Sequence, residues 1–169
     1  MERTVLLPVL SLHSALYRRT NGWIGHRMPG MAPSLLLHTT GAKSGLPHTT
    51  TLTYARDGRG YLVVVASMGG APTAPGWYHN LRKNSNVEVN VGATRIPVIA
   101  YPVLLGDRDY ERLWRIVNAN NANRYTSYQE RTPRPIPVVR LVPVTGEGTD
   151  SAYCLGGSGS GSEPSWRLP

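Results

Sequence analysis

Thr39-Thr40-Gly41-Ala42-Lys43-Ser44-Gly45-Leu46-Pro47-His48-Thr49 is the stretch on which the reading of this chain turns. It follows a compact apolar run, Leu35-Leu36-Leu37, and leads into a threonine-rich run from His48 to Tyr54. That order predicts a strand over Ser34–Thr40, a glycine-rich connection, and a second strand over His48–Tyr54. Gly41 and Gly45 let the backbone turn tightly and leave its N–H groups uncovered. Lys43 adds a cation, and Thr39, Thr40 and Ser44 add hydroxyls. Such a loop suits an anion, usually a phosphate. It is not a Walker loop, because no Gly-Lys-Ser/Thr follows four residues after a first glycine. The plainer alternative is a hairpin loop whose glycines serve only the turn.

Downstream, Asp57-Gly58 is the favoured pair for a tight hairpin. Tyr61 to Ala66 is a continuous apolar run, which predicts a central strand buried on both faces. It runs into a second glycine-rich corner, Ser67-Met68-Gly69-Gly70. Pro75 to Asn84 reads as a short helix with Trp77 and Leu81 on one face. Val87, Val89 and Val91 alternate with Glu88 and Asn90, as in a half-exposed strand, and Thr94–Val103 continues as another. Pro97 and Pro102 push that second strand toward an edge or a bulge. Asp107 and Asp109 open a helix carrying Tyr110, Leu113, Trp114 and Val117 on one face, and Asn118 to Asn123 frays it into a polar loop. The last strand, Ile136–Val144, reads as edge-like from Pro135, Pro137 and Pro143. Six strands with few helices and no βαβ rhythm make the folded part α+β, best fitted by a small antiparallel barrel with helical caps.

The 169 residues divide into an N-terminal amphipathic helix and connection (1–33), a barrel domain (34–144) and a Gly/Ser-rich tail (145–169). The helix, over residues 5–19, suits capping the core and, as a second use, contact with a membrane surface. A net charge of +8 favours an anionic partner. Nucleic acid is disfavoured, because the Lys and Arg residues are dispersed and no recognition motif is present. The single cysteine, Cys154, excludes an internal disulfide, and the five histidines show no close metal-binding pair. No apolar run reaches a membrane span and no signal-peptide arrangement opens the chain, so the expected location is cytoplasmic. Nine Tyr and four Trp with no Phe suggest rings lining a polar-lipped cavity.

Several separated motifs then fall in a recognisable order. The loop at 39–48 is followed by Ala66-Ser67-Met68-Gly69-Gly70, by Pro75, Trp77, Asn80 and Leu81, and by Tyr128-Gln129-Glu130-Arg131-Thr132 and Ile136-Pro137-Val138. Over residues 10 to 144 the chain resembles the deazaflavin-dependent nitroreductase family, split β-barrel oxidoreductases that use coenzyme F420. The resemblance implies a split β-barrel of about six mainly antiparallel strands. It also implies hydride transfer from the reduced deazaflavin to a planar, electron-poor acceptor: a quinone, an enone or a nitro compound.

Carried over by position, Thr40, Lys43, Ser44 and Gly45 match the loop that holds the cofactor phosphate, with Pro47 setting the turn and His48 beside it. The backbone at Ala66, Ser67, Met68, Gly69 and Gly70 would line the cofactor. Asn80 would contact it, and Trp77 would support the short helix. Tyr128, Tyr125 and Ser67 are the candidate proton donors at the acceptor. The chain departs from the family pattern at three normally basic positions, which hold Ala42, His48 and Met68. Either Arg82, Lys83, Arg124 or Arg131 supplies the missing charge, or the fold takes another ligand such as flavin mononucleotide, haem or a fatty acid. A non-enzymatic membrane-peripheral protein is the remaining alternative. The partners implied are a small-molecule electron acceptor and, as some relatives have, a second copy in a homodimer.

Overall fold

The computed structural model describes residues 32–144. The helix expected over residues 5–19 and the Gly/Ser-rich tail lie outside them. Seven strands form one antiparallel sheet: β1 (Ser34–Thr40), β2 (Pro47–Thr53), β3 (Ala55–Arg56), β4 (Leu62–Val65), β5 (Asn86–Val91), β6 (Thr94–Val103) and β7 (Val138–Pro143). Three helices, α1 (Gly76–Lys83), α2 (Tyr110–Asn120) and α3 (Arg124–Gln129), pack on it.

The spatial order β2-β1-β5-β6-β7-β4-β3 places consecutive strands β2 and β3 at opposite edges. Only Tyr54 separates them in the chain. Two edges joined by one residue must meet, so the sheet curls on itself, and β2 comes back against β4. This is the expected split barrel, with seven strands instead of six. The added strand is β3, where the chain leaves the β1 edge and pairs with β4 instead.

The continuous apolar run at 62–65 is explained by two cores, one on each face of the sheet. Leu62 and Val64 enter a core inside the curl with Leu35, Leu37, Val89, Val98 and Leu141, closed by Trp77, Tyr78 and Leu81 of α1. Val63 and Val65 enter a second core with Tyr110, Leu113 and Val117 of α2 and Tyr125 of α3. Successive side chains of a strand point to opposite faces, so burial on both requires apolar residues at every position. β4 lies one strand from the edge, not at the centre.

Two expectations based on proline are corrected. β6 is interior, between β5 and β7, and β7 is interior, between β6 and β4. Ala100 donates its N–H to Ser85 on the β5 side. Pro102, two residues on, turns to that same side beyond the start of β5. Pro97 turns to the other side and meets Val144, just past the end of β7, which donates to its carbonyl at 3.0 Å. Each proline stands where the neighbouring strand stops, so no ladder bond is lost. Residues 118–123 differ as well. α2 runs on to Asn120, and Asn118 is buried, its side chain accepting from Thr126 N at 3.1 Å.

The β3–β4 turn is fixed by a buried carboxylate. Asp57 Oδ1 accepts from Arg59 N (2.9 Å) and Tyr61 N (3.1 Å). Its Oδ2 faces Arg140 Nε of β7 at 3.5 Å and Arg112 of α2 at 3.8 Å. Arg140 also donates to Asp109 at 2.6 Å. That hydrogen bond holds the Asp109 carboxyl below its ordinary value. A depressed folded-state pKa contributes stability that is complete above the unfolded value and is lost as pH falls through the folded one. The stability gap between the native chain and Asp109→Asn should therefore narrow below about pH 4. Urea unfolding measured from pH 6 downward checks this; a gap independent of pH would contradict it.

Candidate active site

The first corner is the β1–β2 connection. Gly41 N donates to Leu46 O (2.8 Å) and Gly45 N to Gly41 O (2.9 Å), closing the loop on itself. Its position is set from α1. The Asn80 side chain accepts from Ala42 N at 2.8 Å and donates to Thr39 Oγ1 at 3.0 Å, and Lys83 Nζ donates to Ala42 O at 2.6 Å. Asn80 thus orients the loop through both ends of its carboxamide. Thr40, Gly41, Lys43, Ser44 and Gly45 line a cleft of about 400 Å³ together with Lys83 and Asn84.

This cleft fits a phosphate group. Two ammonium groups and no carboxylate line it, and beside Gly45 the space for a side chain is open. Lys83 returns one of the cations that Ala42, His48 and Met68 do not provide. Pro47 and His48 are placed differently. They line a second hollow of about 510 Å³ with His38, Thr49 and Arg95. The expected site residues of the loop are therefore divided between two hollows, and Thr40 borders both.

The second corner is a short 3-10 turn, Met68–Gly70, leaving β4 through Ala66 and Ser67. Met68 (φ 48°), Gly69 (φ 67°) and Gly70 (φ 84°) are all left-handed. At Gly70 the need for glycine is absolute: an added Cβ would stand 2.5 Å from the backbone carbonyl oxygen of Tyr128. The corner is thereby seated on α3, the helix that carries the tyrosines. Ala66 and Ser67 are buried, while Met68 and Gly69 are exposed.

The two tyrosines occupy different surroundings. Tyr125 is 6% exposed in the second core, and burial pushes its phenol up to about 12. Tyr128 is half-buried, its ring edge-on to Tyr125 at 6.1 Å, with the Arg131 guanidinium 5.6 Å from its centroid. Tyr110, Trp114, Tyr125 and Tyr128 form a run of neighbouring rings that fixes Tyr128 from behind. Trp77 is buried edge-on against Tyr78 and serves packing.

α1 connects the corners. Asn80 reaches the first, and Tyr78 lies near Arg134 beneath the second. Burial raises the Tyr78 phenol, opposed by the charges of Arg82 and Arg134. Arg134 was not evident in the sequence. It donates from Nε to Ala71 O (2.9 Å) and from Nη2 to Ala66 O (3.2 Å) and Ser67 O (2.9 Å). Its Nη1 is buried without a hydrogen-bond partner among the described residues. The only local sign was an arginine between two prolines, Pro133 and Pro135, where regular structure cannot form.

Residues 9–143 match the family model described as F420H(2)-dependent quinone reductase. An F420H(2)-dependent quinone reductase of Mycobacterium tuberculosis strain H37Rv is 65% identical over 141 residues, 83% of this chain and 94% of the relative. A solved F420-H2 dependent reductase is 34% identical with a TM-score of 0.56, covering 64% of this chain and 93% of its own. A solved domain-swapped dimer is 29% identical with a TM-score of 0.59, covering 79% and 98%. With its curled sheet and two corners, the molecule is a split-barrel oxidoreductase. The chain belongs to the F420H(2)-dependent quinone reductase family. Coenzyme F420, the cofactor expected from the motif series, is the one for which the family is named. Membership sets aside the non-enzymatic alternative. Among the described residues no helix is long and apolar enough to cross a membrane.

Three substitutions test the corners. Lys43→Ala should weaken coenzyme F420 binding about 10- to 100-fold, the worth of one charge-assisted phosphate contact, and should reduce the salt dependence of binding. Fluorescence titration at two ionic strengths reads both; unchanged affinity would place the phosphate elsewhere. Both Gly45 (φ 69°) and Gly70 (φ 84°) are left-handed, so alanine at either should cost about 1–3 kcal/mol in unfolding free energy from the backbone. Gly70→Ala adds the clash with the Tyr128 carbonyl and should abolish activity, whereas Gly45→Ala, with open space around it, should cost the backbone part only.

Proposed function

We propose that this protein uses reduced coenzyme F420 to reduce a quinone to the quinol. The observation that carries the reading is the seating of the second glycine corner on the backbone carbonyl of Tyr128, which supports one site in which the corner would border the cofactor and the Tyr128 phenol would face the acceptor. The family description and the name of the mycobacterial relative support a quinone as the acceptor class. Enones and nitro compounds share the flat, electron-poor character of quinones and form the alternative substrate set.

Lys43, Ser44, Thr40, Gly45 and Lys83 would hold the phosphate in the first cleft. Ala66, Ser67, Met68, Gly69 and Gly70 would border the ring system. When bound, the reduced cofactor supplies the hydride; the protein supplies position, exclusion of water and a proton. Of the three candidate donors, Tyr128 suits the proton best. It is half-buried and so keeps one side open, whereas Tyr125 is enclosed by the second core. Ser67 is buried at the corner, and an aliphatic hydroxyl is a weaker acid than a phenol. The Arg131 guanidinium stands beside the Tyr128 ring and would there favour negative charge growing on an acceptor oxygen held by the phenol.

The test is loss of the reduced cofactor's absorbance with benzoquinone, naphthoquinone, enone and nitro acceptors offered separately. Turnover should be fastest with a quinone. Tyr128→Phe should lower kcat about 10²- to 10⁴-fold, the usual worth of a positioned general acid, with cofactor affinity little changed; Tyr125→Phe should lose much less. No turnover with any quinone would remove the proposal. Equal losses in both tyrosine variants would move the proton donor elsewhere.

A further inference from the structure

We infer that Arg134 is a positioning residue of the reductase site, whose guanidinium holds the second glycine corner in register with Tyr128. The inference rests on the proposed reductase activity and goes beyond it. One side chain binds three backbone carbonyls, of Ala66, Ser67 and Ala71, on both sides of the turn at 68–70. These residues are more than sixty positions away in the chain; the corner's own bonds, Gly70 N to Ser67 O (3.0 Å) and Ala71 N to Met68 O (3.2 Å), close the turn but do not tie it to the tyrosine side. The turn needs that tie. Met68 is a left-handed residue with a side chain, followed by two left-handed glycines, a backbone that persists only where its surroundings over-determine it.

Arg134 is itself held from the tyrosine side. Gln129, the neighbour of Tyr128 on α3, donates through Nε2 to Arg134 O (2.9 Å) and Thr132 O (3.1 Å) and accepts Ile136 N at Oε1 (2.9 Å). The path Tyr128–Gln129–Arg134–corner is therefore continuous in hydrogen bonds and covalent bonds. Gly70 closes the loop by resting on the Tyr128 carbonyl. A guanidinium suits this work because its planar fork meets several carbonyls at fixed angles; an ammonium carries the charge without the geometry. Met68 itself supplies no cation at the corner, and Arg134 puts one beneath it.

The experiment uses the full chain, first as wild type, then as Arg134→Lys, Arg134→Met and Arg134→Ala. Melting temperature, coenzyme F420 affinity, kcat and KM for one quinone are read for each. Misplacing the reacting groups by about 1 Å costs about 10²-fold, so kcat should fall by that order in all three variants, with KM for the quinone nearly constant. Arginine to lysine should not rescue. Methylguanidine added to Arg134→Ala should restore part of kcat without raising the melting temperature of the variant in proportion. Gln129→Leu, which loosens Arg134 from the other side, should show the same split in milder form and serves if the Arg134 variants do not fold. Folded variants with kcat within about twofold of wild type, or a loss that only tracks the unfolded fraction and ignores methylguanidine, would overturn the inference. A wild-type chain that turns over no quinone would instead overturn the reductase reading beneath it.

Discussion

Backbone polar groups at a sharp corner have no strand to pair with, and in this protein distant side chains pair with them. Asn80 satisfies the first corner, meeting an amide and a hydroxyl at 2.8 and 3.0 Å. Arg134 satisfies the second by collecting three carbonyls. Both corners sit where strands leave the sheet, and an unpaired buried donor or acceptor there would cost about 1–3 kcal/mol. The barrel supplies the two ends of strand; the helix α1 and the segment before β7 supply the partners. Everything attributed to the site depends on that division of labour.

Much of the barrel was legible in the residues. Leu35–Leu37 and the 62–65 run are short continuous apolar runs whose length and flanking turn residues favour strand over helix, and Asp57-Gly58 marks a turn by its own chemistry. Prolines misled where they were read locally. Pro97 and Pro102 were signs of an edge only if every neighbouring strand were as long as β6, and chain position cannot show where β5 and β7 stop. The seventh strand escaped for the same reason: Ala55–Arg56 continues β2 in sequence and changes partner only in space. α3 escaped because its left-handed entry at Ala122 and Asn123 looks like loop.

The site was half legible. The two glycine corners and the tyrosine pair of the candidate site are visible in composition and order. What holds them was not. Asn80 was read as touching the cofactor, and its carboxamide is engaged by the loop. His48, beside the loop in sequence, lines the other hollow, where its strand pairs it with Thr39. Of the four candidate replacements for the missing cations, Lys83 is the one that lines the cleft with Lys43. Positions fixed by long-range hydrogen bonds leave no local trace, which is why Arg134 is visible only in the fold.

The central claim is that the two corners act on one ligand although they stand on different strands. Hydrogen exchange of the full chain, with and without saturating coenzyme F420, tests it most directly. Slowed exchange is expected at residues 41–46 and at residues 67–71, appearing together at the same cofactor concentration. Protection at one corner alone, or at the two with separate midpoints, would contradict it.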